Sequence, residues 1–102
     1  MKLIFDKPRQ NALNALRRAG YSFLRKDEQT GQMSFTKRIG NADYPRFHIY
    51  TKTSPRGSIE VNLHLDQKKA SYEGTTAHSG EYNNDNKWLE QEAEMIRAEF
   101  SK

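Results

Sequence analysis

The sequence has no cysteine among its 102 residues, which excludes disulfide bonds and metal sites with thiolate ligands. Its first apolar run covers only residues 3–5, which is too short for a signal peptide or a membrane span. We therefore expect a cytoplasmic protein without a membrane partner. Leu, Ile, Val and Phe are also scarce, together making 18 residues. A chain of this length and composition predicts one domain over residues 1–102 with a small core.

The charge of +4 is distributed unevenly along the chain. Residues 1–70 hold 14 Lys and Arg against 6 Asp and Glu, whereas residues 71–102 hold 3 against 7. A basic body attracts polyanions such as nucleic acids. An equally simple interpretation is that the two segments complement each other within the fold. The charge distribution leaves both interpretations open.

Helix signals occur near each end of the chain. Asp6 as a candidate N-cap, Pro8 in the first turn and Gly20 as a terminator predict a first helix. A second helix is predicted from about Asp85 to Phe100, with acidic residues enriched in its first half as the helix dipole favours. Each helix has one apolar stripe at helical spacing, made of Ala12, Leu13, Leu16 and Ala19 in the first and of Leu89, Ala93, Ile96 and Phe100 in the second.

Residues 21–26 and 33–39 predict a first β-hairpin around a short loop with Gly31 in the left-handed conformation. This loop predicts a register with Lys26 opposite Ser34. Two faces follow from that register, an apolar one with Tyr21, Phe23, Met33, Phe35 and Ile39 and a polar one with Ser22, Lys26, Ser34, Thr36 and Arg38. The side chains of Leu24, Arg25 and Lys37 do not fit this division.

The second hairpin is the clearest signal in the sequence. Residues 54–57 have the composition of a type I turn, with Pro55 at its second position and Gly57 ready for a left-handed conformation. The register set by this turn places Phe47, Ile49 and Thr51 opposite Leu65, Leu63 and Val61 on an apolar face, and Arg46, His48, Tyr50 and Lys52 opposite Asp66, His64, Asn62 and Glu60 on a polar face. A slip by one residue would lose both opposite-charge pairs and the common apolar face, so the register is well specified.

These elements predict an α+β domain of order α-β-β-β-β-α, in which two helices cover one face of a four-stranded antiparallel sheet. Residues 3–5 are either an extra strand or an apolar lead-in to the first helix. Residues 67–86 hold no Leu, Ile, Val, Phe or Met and predict a long, mobile polar loop. The predicted core consists of Leu16, Phe23, Phe35, Phe47, Ile49, Leu63, Leu65, Leu89 and Ile96.

Three histidines are candidates for metal binding. The second hairpin places His48 and His64 side by side, and two neutral imidazoles at that distance can share a zinc ion. The loop can supply His78 or Glu81 as a third ligand, and Asp66 is another candidate. A pair of neighbouring histidines can also serve as general acid and base on a phosphodiester. The simpler alternative is a stacked or hydrogen-bonded pair on a solvated face.

The polar face is also a candidate surface for nucleic acid, and we name Lys26, Arg38, Arg46, His48, Tyr50 and Lys52 as its candidate binding residues. Sheets that bind single-stranded RNA combine cations with exposed aromatic rings in this way. The alternative is a protein-interaction or inhibitory module, which would use the same uncovered face together with the polar loop around Tyr72, His78 and Tyr82. The sequence favours a binding domain over an enzyme but leaves these two partners open.

Residues 12–23 (ALNALRRAGYSF) resemble the opening helix and strand of the HicA-type RNA-cleaving toxins, whose fold resembles a double-stranded RNA-binding domain. Those toxins carry a catalytic histidine on the second strand just after Gly-Ser, and residues 31–34 (GQMS) hold none. This difference argues against RNA cleavage by that route. Residues 43–48 (DYPRFH), 62–69 (NLHLDQKK) and 78–82 (HSGEY) resemble small bacterial proteins of unknown function, which implies no activity.

Overall fold

A computed structural model describes residues 1–67 and 79–102, and from residue 87 onward it describes the side chains of the second segment as well. The described residues form an α+β fold with two helices and one antiparallel sheet, which confirms the predicted class. In chain order the elements are β1 (Lys2–Phe5), α1 (Ala12–Arg18), β2 (Ser22–Lys26), β3 (Met33–Arg38), β4 (Arg46–Thr53), β5 (Ile59–Asp66) and α2 (Ser79–Phe100).

The sheet has five strands in the order β1-β5-β4-β3-β2, so the prediction of four strands is wrong. The extra strand is β1, which pairs antiparallel with β5 and places Leu3 opposite Val61. Leu3 is buried among the core residues, whereas its neighbour Ile4 is 57% exposed. The side chains of β1 therefore alternate as in any half-buried strand. A run of three apolar residues was too short to show this alternation in the sequence.

The second hairpin has the predicted register at every position. Arg46 pairs with Asp66, His48 with His64, and the remaining pairs follow to Thr53 and Ile59. At the turn, the Gly57 amide donates to the Ser54 carbonyl at 2.9 Å, and Gly57 has a φ of +95°. The Ser54 hydroxyl also accepts hydrogen bonds from the amides of Arg56 and Ser58. Local turn chemistry thus fixes which residues of β4 and β5 share a face.

The first hairpin differs from its predicted register because β2 contains a β-bulge. Phe23 pairs with Phe35, but Arg25 pairs with Ser34, so Leu24 is the extra residue. Beyond the bulge, Lys26 pairs with Met33 and lies on the same face as the core, not on the polar face as predicted. Arg25 takes its place on the polar face. The bulge explains why Leu24 and Arg25 did not fit the predicted division.

Helix α1 begins later than predicted. Its N-cap is Asn11, whose side-chain oxygen accepts a hydrogen bond from the Asn14 amide at 2.8 Å, so the prediction of Asp6 as the N-cap is wrong. The residues around Pro8 instead connect β1 to the helix, and the Arg9 amide donates to the carbonyl of Phe100 at the end of α2. The predicted end is confirmed, since Gly20 follows the C-cap with a φ of +101°.

Helix α2 begins at Ser79 rather than near Asp85, so its first turns occupy the end of the segment predicted as a polar loop over residues 67–86. Residues 68–78 of that predicted loop lie outside the described residues. Within the described part of the chain, neither helix is long and apolar enough to cross a membrane.

The hydrophobic core is one cluster of residues drawn from both helices and from the sheet. Its buried residues are Leu3, Ala12, Ala15, Leu16, Ala19, Tyr21, Phe35, Phe47, Ile49, Ile59, Val61, Leu63, Ala93, Ile96 and Phe100. Of the predicted core, Leu65 and Leu89 are partly buried against this cluster. Phe23 is 45% exposed, so its assignment to the core is wrong. It lies on the edge strand β2, where its ring makes an edge-to-face contact with the fully buried Phe35.

One ion pair is built into the core side of the sheet. Lys37 pairs with Phe47 across β3 and β4, which directs its side chain toward α2. Its ammonium donates to the buried carboxylate of Glu92 at 2.7 Å, and the same carboxylate oxygen accepts a hydrogen bond from the Tyr21 hydroxyl at 2.8 Å. Burial, with the Glu92 charge and this hydrogen bond, raises the pKa of Tyr21 far above its usual range. This contact explains why Lys37 did not fit the polar face.

Candidate nucleic-acid interface

We call the side of the sheet opposite the core its polar face. Paired residues of an antiparallel sheet share a face, so the register assigns each position to one side. Across the five strands the polar face carries Lys2 and Ile4 on β1, Glu60, Asn62, His64 and Asp66 on β5, Arg46, His48, Tyr50 and Lys52 on β4, Ser34, Thr36 and Arg38 on β3, and Ser22 and Arg25 on β2.

Three aromatic rings meet on this face, and we call His48, Tyr50 and His64 the ring cluster. The centroids of His48 and Tyr50 are 4.6 Å apart with their planes tilted by 31°, and Tyr50 meets His64 edge-to-face at 6.0 Å. The spacing of two along β4 and the cross-strand pairing of His48 with His64 bring these rings together. Tyr50 is 37% exposed, so its ring is both supported by its neighbours and accessible.

His48 is held by a carboxylate at the edge of the ring cluster. Its Nδ1 lies 3.3 Å from Asp66 Oδ2, and the same oxygen lies 3.4 Å from the Nε of Arg46. The Arg46 guanidinium also stacks over the ring of Tyr44 at 4.7 Å. The second nitrogen of His48, Nε2, is buried and has no hydrogen-bond partner in the part of the chain that the structure describes. Proton transfer or metal binding at Nε2 would therefore require the side chain to move.

His64 is the exposed histidine of the pair. Partial burial of its imidazole lowers its pKa, and the positive charges of the Met1 ammonium and of a protonated His48 act in the same direction, whereas Asp66 opposes them. The Met1 ammonium is placed nearby by a hydrogen bond of 2.9 Å to the Leu63 carbonyl. The lowered pKa favours the neutral form of His64, which can accept a hydrogen bond.

The structure brings most of the predicted binding residues together. Arg38, Arg46, His48, Tyr50 and Lys52 lie on the polar face, whereas Lys26 lies on the other side because of the bulge. Besides Lys2 on the added strand β1, the sequence-based prediction missed the cation Arg25. The sequence held a sign of the bulge that places Arg25 on this face. Phe23 and Leu24 are two consecutive apolar residues, and they interrupt the alternation at the position of the bulge.

Acidic side chains partly neutralise this face. Glu60 accepts a hydrogen bond from the Asn62 side chain at 2.9 Å and lies 3.9 Å from the Lys2 ammonium. The hydrogen bond from Asn62, helped by the charges of Lys2 and Lys52, lowers the pKa of Glu60 despite some loss of solvation. Arg38 lies 3.7 Å from Asp43 Oδ1 on the following loop. The lowered pKa favours the ionised form of Glu60, so the surface is of mixed charge with cations in excess.

Two of the predicted zinc ligands lie side by side, but the described residues do not complete the site with a third. His48 and His64 are cross-strand neighbours as predicted. Among residues 1–67 and 79–102, no three His, Asp or Glu side chains that the structure describes lie in an arrangement that could hold a metal ion. Asp66 contacts both His48 and Arg46. The third predicted histidine, His78, lies outside the described residues, and so does the side chain of Glu81. Zinc binding stays a prediction.

A second candidate surface lies between α2 and the ends of β3 and β4, and the sequence-based interpretation missed it. We call it the apolar groove, a depression of about 230 Å³ lined by Ile39, Phe47, Trp88, Gln91, Glu92 and Met95. Its Ile39, Trp88 and Met95 side chains are 39%, 38% and 45% exposed. Trp88 and Met95 flank the apolar stripe of α2 in the sequence, but only the fold brings Ile39 beside them.

No protein-family model matches this chain, and no curated protein matches it either. A relationship to the HicA-type toxins therefore stays a prediction, based on residues 12–23. A relationship to small bacterial proteins, based on residues 43–48, 62–69 and 78–82, stays a prediction as well.

Proposed function

We propose that this chain binds single-stranded nucleic acid on the polar face of its sheet. The observation that carries the proposal is the ring cluster, in which His48 and His64 support an accessible Tyr50 ring. An unpaired base of any type can stack on such a ring, because every base has a π-face. Contacts with two neighbours restrict the rotamers of Tyr50 before a ligand arrives, so less conformational entropy is lost on binding.

The charges around the ring cluster suit a phosphate backbone. The polar face carries five cationic side chains, Lys2, Arg25, Arg38, Arg46 and Lys52, against the two carboxylates of Glu60 and Asp66. Lys2, Arg38 and Arg46 each have a carboxylate nearby, and the Arg46–Asp66 pair is the shortest and least exposed of the three, so Arg46 contributes less than the others. Lys2 on β1 lies to one side of Tyr50, Arg38 and Arg25 on β3 and β2 lie to the other, and Lys52 lies on the same strand. A nucleic-acid strand stacked at the centre would therefore have phosphates within reach of positive charge in both directions.

The size of the face sets the length of the ligand. In this proposal both helices lie on the core side of the sheet, where Leu16 of α1 and Ile96 of α2 are buried, and the polar face is left open. Five strands spaced about 4.8 Å apart make a sheet roughly 20 Å wide. A face of that width accommodates a few nucleotides of an extended single strand, within the range of site sizes seen for other sheet-based binders.

Replacing Tyr50 with Ala tests the ring cluster directly. Loss of one stacking platform should weaken binding of an oligouridylate of about a dozen nucleotides by 1–3 kcal/mol, or roughly 5- to 150-fold in Kd. Trp88→Ala is the matched control, because Trp88 is 38% exposed, nearly as much as Tyr50 at 37%, but lies on α2. Isothermal titration calorimetry with both variants provides the measurement. Equal affinities of the Tyr50 and Trp88 variants would contradict the proposal.

The dependence on salt tests the contribution of the cations. Arg25→Gln and Arg38→Gln should each reduce the slope of log K against log salt by about one, as expected for the loss of one phosphate contact. Arg17→Gln removes a cation from the last turn of α1 and should leave the slope unchanged. A slope that does not respond to Arg25 or Arg38 would place the nucleic acid elsewhere on the surface.

The apolar groove favours a protein partner as a second candidate function. Three large apolar side chains are exposed around this depression. Burying them against a partner would be more favourable than leaving them in contact with water. Such a partner should bind in a manner that tolerates salt, and its capture should be lost in the Trp88→Ala variant and retained in the Tyr50→Ala variant. The reverse pattern would assign the partner to the polar face.

A histidine-centred metal or phosphodiester-hydrolysing site is the third candidate. The 3.3 Å contact of Asp66 with His48 Nδ1 is the observation that favours it, because a carboxylate in this position orients a ligating or catalytic imidazole. The metal site would be supported if protein purified without chelator holds stoichiometric zinc and the His64→Gln variant does not. Protein that holds no zinc after dialysis against the metal would exclude it.

A further inference from the structure

We propose that proton uptake by His64 strengthens the binding of nucleic acid to the polar face, so that the protein binds more tightly as the pH falls. This inference rests on the proposed function and adds regulation to the same site. It starts from the ring cluster, in which an exposed imidazole lies beside the Tyr50 stacking platform. A base stacked on Tyr50 brings its own phosphates close to His64, where a positive charge would be favourable.

The charged groups that surround His64 decide whether it can act in this way. Across β4 it faces His48 and Arg46, along β5 it has Asp66 and Glu60, and from β1 it has the Met1 ammonium and Lys2. Asp66 lies between Arg46 and His48 and is engaged with both of them. The positive groups thus outnumber the negative ones around His64. In the free protein, partial burial of the imidazole and this excess of positive charge both disfavour a proton on it.

A bound polyanion reverses that balance. Phosphates near the ring cluster would offset the charges of Met1, Lys2 and Arg46, so the complex should hold a proton on His64 more readily than the free protein does. Because linkage is reciprocal, a proton that binds more tightly to the complex must also tighten the complex. The protonated ring would donate from both of its nitrogens on β5, where Glu60 and Asp66 supply only acceptors.

His48 is not the group that carries this coupling. Its Nδ1 already faces the Asp66 carboxylate, and its Nε2 is buried without a hydrogen-bond partner among the described residues. A proton on Nε2 would create a buried donor with no acceptor, which is unfavourable. His64 has no such restriction, since its side chain is exposed. The coupling should therefore be removed by changing His64 alone.

The test compares affinities for an oligouridylate of about a dozen nucleotides between about pH 8 and about pH 5.5, a range that spans the titration of histidine. Uracil and the phosphodiester do not titrate in this range, so any change belongs to the protein. The ratio of the two affinities is the measured quantity. We expect binding by the unmodified protein to tighten about threefold or more at the lower pH, as one additional charge near phosphate would give.

Two variants of His64 bracket the expected behaviour. His64→Gln is neutral and His64→Lys is cationic at both pH values, so each should reduce the ratio to near one whatever its absolute affinity. NMR titration of the His64 ring protons adds a readout that a purely structural role would not change, because the pKa of His64 should be higher in the complex than in the free protein. An unchanged pKa on binding would overturn the inference.

The outcomes separate this inference from the proposed function. Binding that weakens in Tyr50→Ala but has the same affinity at both pH values would overturn the regulation and leave nucleic-acid binding in place. A ratio that persists in both His64 variants would assign the pH dependence to another group and also overturn the inference. An absence of binding at either pH would overturn both proposals.

Discussion

At the scale of single residues, His64 should link the stability of the fold to pH. Its pKa is lowered in the folded protein, mainly by partial burial. In the unfolded chain its pKa returns to about 6.5, so the unfolded chain binds the proton more readily. The stabilisation is thus fully present above about pH 6.5, and it is lost as the pH falls through that value toward the lower folded pKa.

The corresponding prediction is that His64→Gln makes stability less sensitive to acid. The midpoint of urea unfolding should fall between about pH 8 and about pH 5.5 in the unmodified protein and should fall less in the variant. Comparing the change within each protein removes any constant effect of the substitution. If both proteins lose the same stability over this interval, the acid sensitivity belongs to other groups and the environment assigned to His64 is wrong.

At the scale of elements, a buried ion pair links Glu92 of helix α2 to Lys37 of strand β3 and, through a shared carboxylate, to Tyr21 just before β2. Glu92→Ala leaves Lys37 partly buried without its carboxylate and the Tyr21 hydroxyl without its acceptor. We expect a loss of about 2–4 kcal/mol in the free energy of unfolding. Glu94→Ala is the control on the same helix, because its pair with Arg97 is largely exposed and should contribute less than about 1 kcal/mol. Denaturant unfolding measures both, and similar losses would mean that the buried pair does not hold α2.

The two hairpins show what the sequence can and cannot specify about elements. In the second hairpin, the Pro55–Gly57 turn, the alternation and the opposite charges all favour one register, so β4, β5 and the pairing of His48 with His64 were predictable. In the first, a bulge moved Lys26 off the polar face, because one extra residue reverses every side chain beyond it.

Contacts between elements that are distant in the sequence were not predictable. No local pattern indicated that Lys37 would meet Glu92, or that Ile39 would meet Trp88 and Met95 in the apolar groove. Strand β1 was not predictable for the same reason, because its three apolar residues are recognisable as a strand only from their pairing with β5. The ring cluster was accessible to sequence reasoning because all three of its rings belong to the one hairpin whose register was specified locally.

At the scale of the whole molecule, a small core makes each buried side chain important to folding. Leu63 is fully buried near the centre of the sheet, where the core receives residues from both helices. Leu63→Ala removes most of a buried side chain and leaves a cavity that the surrounding strands cannot fill. We expect a loss of about 2–5 kcal/mol, which is a large fraction of the total stability of a domain of this size.

Leu24→Ala is the matched control for this prediction, since it makes the same chemical change at a bulge position that is 51% exposed on the edge strand. It should change the free energy of unfolding by no more than about 0.5 kcal/mol, because little apolar surface is buried there. Thermal and denaturant unfolding of both variants measures the difference. A Leu63 variant that melts within a degree or two of the unmodified protein would mean that Leu63 does not face the core. By the same alternation His64 would then face inward, and the ring cluster would lose its place on the polar face.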